Sequence, residues 1–463
     1  MKNIASKILI LSAFSFFTLT SCEELVDIKP IDELPIADLT KDSINVQYVL
    51  NGAYNLNQGM FPIWRTAVML GDDFDVTSIA LKEQGDYQFF PEFRFGPFNG
   101  VSDAVWNDGY NTIGRSNIVI DAVDKKLFKA SQNTYNRLKG EALFLRATQG
   151  FFITQIFALP YTSSPSAPGM VIRTKLLTAD EAAVPVQRST VAESYAQIEA
   201  DLNEAINLLP ESNGTGVNKW MAKAFLARVQ FNKNDYANAY ATANDVITNG
   251  GYTFAPVEGD SLTPSLPFSQ SITTHPKNVG FIYDIINIAG SDKSGDFRGR
   301  FYNNQGFNAN FTINPDVPSA LLGDTGTQFY KQLYGRRNNV RWTQKYKAFP
   351  RNIPVIRLVE MYYNRAEAGL QTGTITVNQA IDDLNFVRNA NGLDSLVIEN
   401  PTQAVVIEQI RNDRRGAMIG EPDRLFELKR LNATVRNVPT TDTKSLPKLP
   451  VAEINGNRFI QQN

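Results

Sequence analysis

The chain has 463 residues, 43% hydrophobic and 20% charged, enough for one large globular unit or two to three ordinary ones. Its 45 Lys and Arg nearly cancel its 47 Asp and Glu, so no basic excess exists to release counterions from a nucleic acid, and DNA or RNA binding is not expected. One Cys and one His exclude a disulfide framework and Cys- or His-rich zinc sites and leave little for catalysis; neither metal nor cofactor is expected.

The chain opens as an address. Lys2 and Lys7 precede an apolar run from Ile8 to Leu19, too short to span a bilayer, where about 20 residues are needed. Small residues then lead to the single Cys, in Leu19-Thr20-Ser21-Cys22, as in a bacterial lipobox. Residues 1–21 read as a lipoprotein signal peptide and Cys22 as the lipidated N-terminus. Cleavage removes two lysines and no acid, shifting the net charge from −2 to −4. Residues 22–40 hold two prolines without a period and read as a lipid-anchored tether. The body, 41–463, is expected to be a soluble domain held at the membrane.

Apolar residues recur at helical spacing over 41–58, 103–126, 133–158, 190–209, 217–233, 235–249, 354–371, 376–391 and 403–416. Thr190 followed by Glu193 is a capping-box signal, and Pro210 stops that helix. Small residues recur 12 apart in two helix pairs, Ala227 to Ala239 and Ala368 to Ala380. That spacing is the close-approach pattern of a tetratricopeptide unit. The fold class expected is mostly α, with a helical scaffold over 41–60, 103–249 and 354–430. Two stretches, 61–102 and 250–350, lack a period and are rich in Gly, Pro and Asn. Aromatics supply 10 of the 46 residues in 61–106 and 10 of the 51 in 296–346, about twice the chain average of 11%. Long loops inside a compact chain are commonly functional, so these stretches are where a ligand is sought.

Catalytic signals are sparse. His275 sits in a loop with no visible nucleophile or acid partner and reads as a surface residue. No phosphate-binding glycine loop or zinc-protease motif is present. Asp72-Asp73-Phe74-Asp75 could accept hydrogen bonds from sugar hydroxyls, help bind Ca²⁺, or form a solvated turn. The arginines at 411, 414 and 415 are interleaved with acids and read as an ion-paired helix face; Arg336, Arg337 and Arg341 have no nearby acids. The first loop carries Trp64, Tyr87 and several Phe residues. Sugar C–H faces pack on aromatic rings while polar neighbours orient the hydroxyls, and Trp and Tyr suit such half-wet sites better than Phe.

Ordered motifs after Cys22 resemble the SusD/RagB family of outer-membrane nutrient-binding lipoproteins. They are Trp106 to Ile120, Lys139 to Ala147 with Ala158-Leu159-Pro160-Tyr161, Pro354 to Ala368, Leu384 to Arg388, Ile410 to Arg415 with Gly420 to Arg430, and Leu449 to Asn455. Pro422 and Glu427 replace the residues usual there, and Arg336-Arg337-Asn338 replaces the usual Asp-x-Arg before Trp342. The resemblance implies a SusD-like fold of tetratricopeptide-like helix pairs with a loop-rich ligand-binding face. It implies a non-catalytic lipoprotein, lipid-anchored and surface-exposed on the outer membrane. Its role would be to bind an oligosaccharide and deliver it to a SusC-like TonB-dependent transporter during glycan uptake. The alternative is the peptide-binding lid of a RagA-like importer; a two-carboxylate glycosidase is the enzyme reading. Residue type and loop placement nominate Trp64, Asp73, Tyr87, Tyr302, Asn303 and Trp342 as ligand contacts.

Overall fold

The computed structural model describes residues 35–58, 60–76, 90, 92–96, 100–254, 277, 280–286, 301, 311–318, 321, 334–337, 340–346, 352–391 and 393–463. Cys22, Tyr87, His275, Tyr302 and Asn303 lie outside them.

The first elements are helices α1 (Ile36–Leu39), α2 (Ser43–Gln58) and α3 (Phe61–Leu70), strand β1 (Phe74–Val76) and the long helices α4 (Gly100–Asp124) and α5 (Gln132–Phe157). Short α6 (Ala179–Ala183) precedes α7 (Val191–Leu208), α8 (Lys219–Asn232) and α9 (Tyr236–Asn249). Five strands follow: β2 (Phe281–Ile285), β3 (Phe311–Ile313), β4 (Tyr334–Arg337), β5 (Val340–Thr343) and β6 (Ile353–Arg357). The C-terminal part holds α10 (Leu358–Thr372), α11 (Val377–Ala390), α12 (Gln403–Met418), α13 (Asp423–Arg430), strands β7 (Thr434–Val435) and β8 (Val438–Pro439), and α14 (Val451–Gly456).

Helices pack in sequence: α2 on α4, α4 on α5, α5 on α7, α7 on α8, α8 on α9, α9 on α10, and α10 on α11 and α12. This is a stack of helix pairs in which each pair buries its apolar face on the next. The small residues that suggested repeats lie at these seams. Ala227, Ala239, Ala368 and Ala380 are all fully buried, and Ala239 meets Ala368 where α9 crosses α10. Beside them, a Cβ on Gly369 would stand 3.0 Å from Tyr240 and 2.8 Å from Ile375, so the missing side chain sets how closely these segments approach.

Helix α5 is the central post. Ser131 caps it by accepting from the Thr134 amide, and nearly every residue from Leu138 to Phe157 is buried. A helix apolar all round belongs inside a protein, and its few polar groups must therefore be paired. Arg146 makes a two-pronged bond to Asp201 of α7 at 2.7 and 2.6 Å. Glu141 accepts from Tyr54 of α2 at 2.6 Å and from Arg137 at 2.7 Å. Tyr54, buried and beside the Glu141 charge, has its hydroxyl raised well above the ordinary phenol range. Thr190 and Glu193 form the capping box at the start of α7 that the sequence indicated.

Two helices lie where loop and tether were expected. Residues 61–70 are helical rather than loop, started by Pro62 in the first turn and carrying an almost unbroken apolar run that packs against α4, α5 and α13. Within the tether range, residues 36–39 form the short α1, whose carbonyl at Ile36 accepts from the Thr40 side chain.

Candidate ligand-binding site

The strands gather into two-stranded antiparallel pieces on one part of the helical stack. β1 pairs with β3, aligning Phe74 with Ile313 and Asp75 with Thr312; β2 pairs with β6; β4 and β5 form a hairpin aligning Gly335 with Trp342. Alternation along β5 turns Arg341 and Thr343 inward and leaves Val340 exposed and Trp342 half-buried.

Trp342 is set by its partner strand. Its indole occupies the space that a Cβ on Gly335 would take, so only glycine permits this ring placement. Arg341 points the other way and donates to the carbonyls of Asn314 at 2.7 Å and Pro315 at 2.9 Å. That ties the hairpin to the turn after β3. The same turn reaches β1, since the Asn314 amide donates to the Asp73 carbonyl at 2.8 Å.

Beneath the hairpin lies an aromatic core. Phe301 contacts Phe74, Phe311 and Tyr346 with ring centroids 5.7, 5.2 and 5.1 Å apart. All four rings are buried. Phe90 and Phe93 are likewise buried and meet Phe95 edge-on. Much of the aromatic enrichment of the two irregular stretches is thus packing that holds loops together without regular structure. Those residues supply apolar area that an α or β ladder would otherwise organise.

The site is anchored to the C-terminal helices by buried ions. Lys345 donates to the carbonyls of Ala417 and Ile419 and to Glu421, at 2.6, 2.9 and 2.9 Å; Arg357 shares Glu421 at 2.8 Å. Burial pulls the Lys345 ammonium down to about 8 despite Glu421 beside it. Tyr346 donates to the Gly420 carbonyl at 2.8 Å, and Tyr334 to that of Gly416.

Trp64 and Asp73 stand corrected by their surroundings as direct ligand contacts. Trp64 is on α3, 1% exposed and 6.4 Å from the Phe152 ring, so it offers no open face for stacking. Asp73 is 3% exposed and receives Arg415 at 2.8 Å, while Asp72 receives both prongs of Arg424 at 2.7 and 2.8 Å. Burial pushes Asp73 above the ordinary carboxylate range and outweighs the Arg415 and Arg424 charges. For Asp72 burial also acts upward, but the Arg424 bonds and charge prevail and hold it below. The acidic cluster is therefore a clasp between β1 and α12–α13. No cluster of His, Cys, Asp or Glu suited to a metal occurs among the described residues. Arg411 and Arg414 are ion-paired as the sequence suggested, to Glu367 at 2.7 Å and to Asp423 at 2.5 Å. Sequence reasoning missed Gly335, whose only signal was a glycine preceding an Arg-rich segment.

The chain thus has a stacked helix-pair body carrying a strand-and-loop face that displays one tryptophan. Two family models match it: residues 69–231 match a SusD-like model described as starch-binding and associating with the outer membrane, and residues 302–458 match the SusD family. The chain belongs to the SusD/RagB family. Solved structures share the fold over almost their whole lengths. A Bacteroides vulgatus protein provisionally described as sugar binding is 26% identical, with a TM-score of 0.77 over 91% of this chain and 98% of its own. A SusD superfamily protein from Bacteroides thetaiotaomicron is 23% identical, with a TM-score of 0.78 over 91% and 99%. A laminarin-binding SusD-like protein is 19% identical, with a TM-score of 0.71 over 91% and 99%. Among curated proteins none matches. No helix among the described residues is long and apolar enough to cross a membrane.

Proposed function

We propose that this chain is a cell-surface lipoprotein, anchored through Cys22, that binds an oligosaccharide without chemically altering it and passes it to a SusC-like TonB-dependent outer-membrane transporter. The observation that carries the binding reading is the state of the four tryptophans. Trp64, Trp106 and Trp220 are 1%, 2% and 6% exposed, whereas Trp342 alone is part-accessible, on a hairpin braced from behind by Arg341 and Lys345. An indole held over Gly335 with its N–H edge buried and the rest part-accessible can offer that open part to a pyranose face, and its rigidity limits the entropy lost on binding. Tyr87, Tyr302 and Asn303 complete the proposed contact set. Asp72 and Asp73, the carboxylates held beside this face, are each engaged by an arginine, which favours binding over acid–base hydrolysis.

The test is isothermal titration of the chain from Glu23 onward, starting with laminarin oligosaccharides because one structural neighbour binds laminarin, then a wider glycan array. Trp342→Ala is expected to weaken the glycan found at least tenfold while leaving the melting temperature within a few degrees. Unchanged affinity would remove Trp342 from the site. Selective binding of peptides in place of glycans would transfer the chain to the RagB-like reading.

A further inference from the structure

A concavity elsewhere in the body shares no residue with the hairpin. It is a cleft of about 300 Å³ between α4, the segment after Pro168, the end of α6 and α14. That volume is at the small end of ligand-sized pockets. Its walls are fixed before any ligand arrives. The Tyr110 hydroxyl donates to the Val171 carbonyl at 3.2 Å and accepts from the Val171 amide at 2.8 Å. Asn117 holds the Arg173 carbonyl at 3.0 Å, and Asn457 holds the Val186 carbonyl at 2.8 Å.

The lining combines opposite charges that do not neutralise each other. Arg173 donates only one long bond, 3.4 Å, to the Val184 carbonyl, and Glu453 accepts only one, 3.4 Å, from the Trp106 indole. Neither has an ion-pair partner among the described residues, although both are half-buried. Elsewhere buried charges are paired with opposite ones, as at Arg146–Asp201 and Arg228–Glu360, with Lys429, held by two carbonyls, an exception. Tyr110 lines the cleft with both charges; burial raises its hydroxyl above the ordinary range against the opposing Val171 bond and Arg188 charge. Val184 and Pro185 add apolar surface to the lining.

We propose that this cleft binds a small zwitterion, an apolar free amino acid or dipeptide, with its carboxylate on Arg173, its ammonium on Glu453 and its side chain against Val184 and Pro185. A neutral sugar can hydrogen-bond to either group but leaves both partly desolvated charges uncompensated; a zwitterion compensates both at once.

The proposal is tested by saturation-transfer NMR and isothermal titration on the chain from Glu23 onward. The probes are L-leucine and glycyl-L-leucine, with N-acetyl-L-leucinamide and glucose for comparison. Both zwitterions are expected to bind, and the charge-blocked leucine at least tenfold more weakly. Arg173→Gln and Glu453→Gln should each weaken zwitterion binding at least tenfold, with glycan binding through Trp342 unchanged. Equal binding of the blocked compound, preference for glucose, absence of binding by both zwitterions, or variants that bind like the parent would each overturn it. The comparison of free and blocked leucine on the parent chain needs no variant to fold.

Discussion

Removing the charge of Glu360 tests whether buried ion pairs hold the helix stack together. Glu360 is fully buried on α10 and receives Arg228 of α8 through two bonds of 2.8 and 2.6 Å, with Arg414 of α12 at 4.0 Å. With the carboxylate neutralised, Arg228 keeps the Val355 carbonyl at 2.6 Å, the face of Phe225 and one neutral amide acceptor, but loses its two-pronged anionic partner. Arg414 retains Asp423. Glu360→Gln preserves shape but strands one guanidinium in the core, a change that costs about 3–5 kcal/mol when one partner of a buried pair is lost. Replacing both partners, Arg228→Met with Glu360→Leu, removes the stranded charge. The double variant should therefore lie within about 2 kcal/mol of the parent, far from the sum of the single changes. Urea unfolding followed by fluorescence and circular dichroism measures the parent, Arg228→Met, Glu360→Leu and their double variant as one cycle, with Glu360→Gln measured beside it. A Glu360→Gln loss below about 1 kcal/mol, or a double variant as unstable as the two singles added, would refute the reasoning.

Lys429 is buried, donates to the carbonyls of Gln155 and Ala158 at the end of α5, and is pulled down to about 7 by burial and by Arg188. Between pH 7 and about 10 the unfolded chain therefore carries a proton that the folded chain does not, and stability rises with pH across that window. Lys429→Met, measured by urea unfolding at pH 6 and pH 9, should compare more favourably with the parent at pH 6 by about 2 kcal/mol; a difference independent of pH contradicts this. Gly335→Ala should displace the Trp342 indole, changing its near-ultraviolet dichroism and weakening glycan binding without removing any polar contact. Retention of both signals would show that the ring is not held by Gly335.

The helical body was legible because its signals are local. Apolar spacing, the Thr190–Glu193 box and the 12-residue recurrence of alanines each act within a few turns, and each occupies the place its pattern implied. The strand-bearing face was not. Trp64 and Trp342 look alike in sequence, yet one sits on a helix pressed against Phe152 and the other rests over a glycine across a hairpin. Asp73 read as a hydroxyl acceptor because its partner, Arg415, lies 342 positions away. Short-range patterns carry no information about such pairings, and a buried clasp and an open acidic turn share the same local sequence.

That separation also orders assembly in time. The carboxylates of Asp72 and Asp73 enter the growing chain long before Arg415 and Arg424, and Lys345 waits for the carbonyls of Ala417 and Ile419. A chain ending before α12 would lack every one of these partners for Asp72, Asp73 and Lys345. The brace behind the Trp342 hairpin is thus completed only by residues close to the end of the chain.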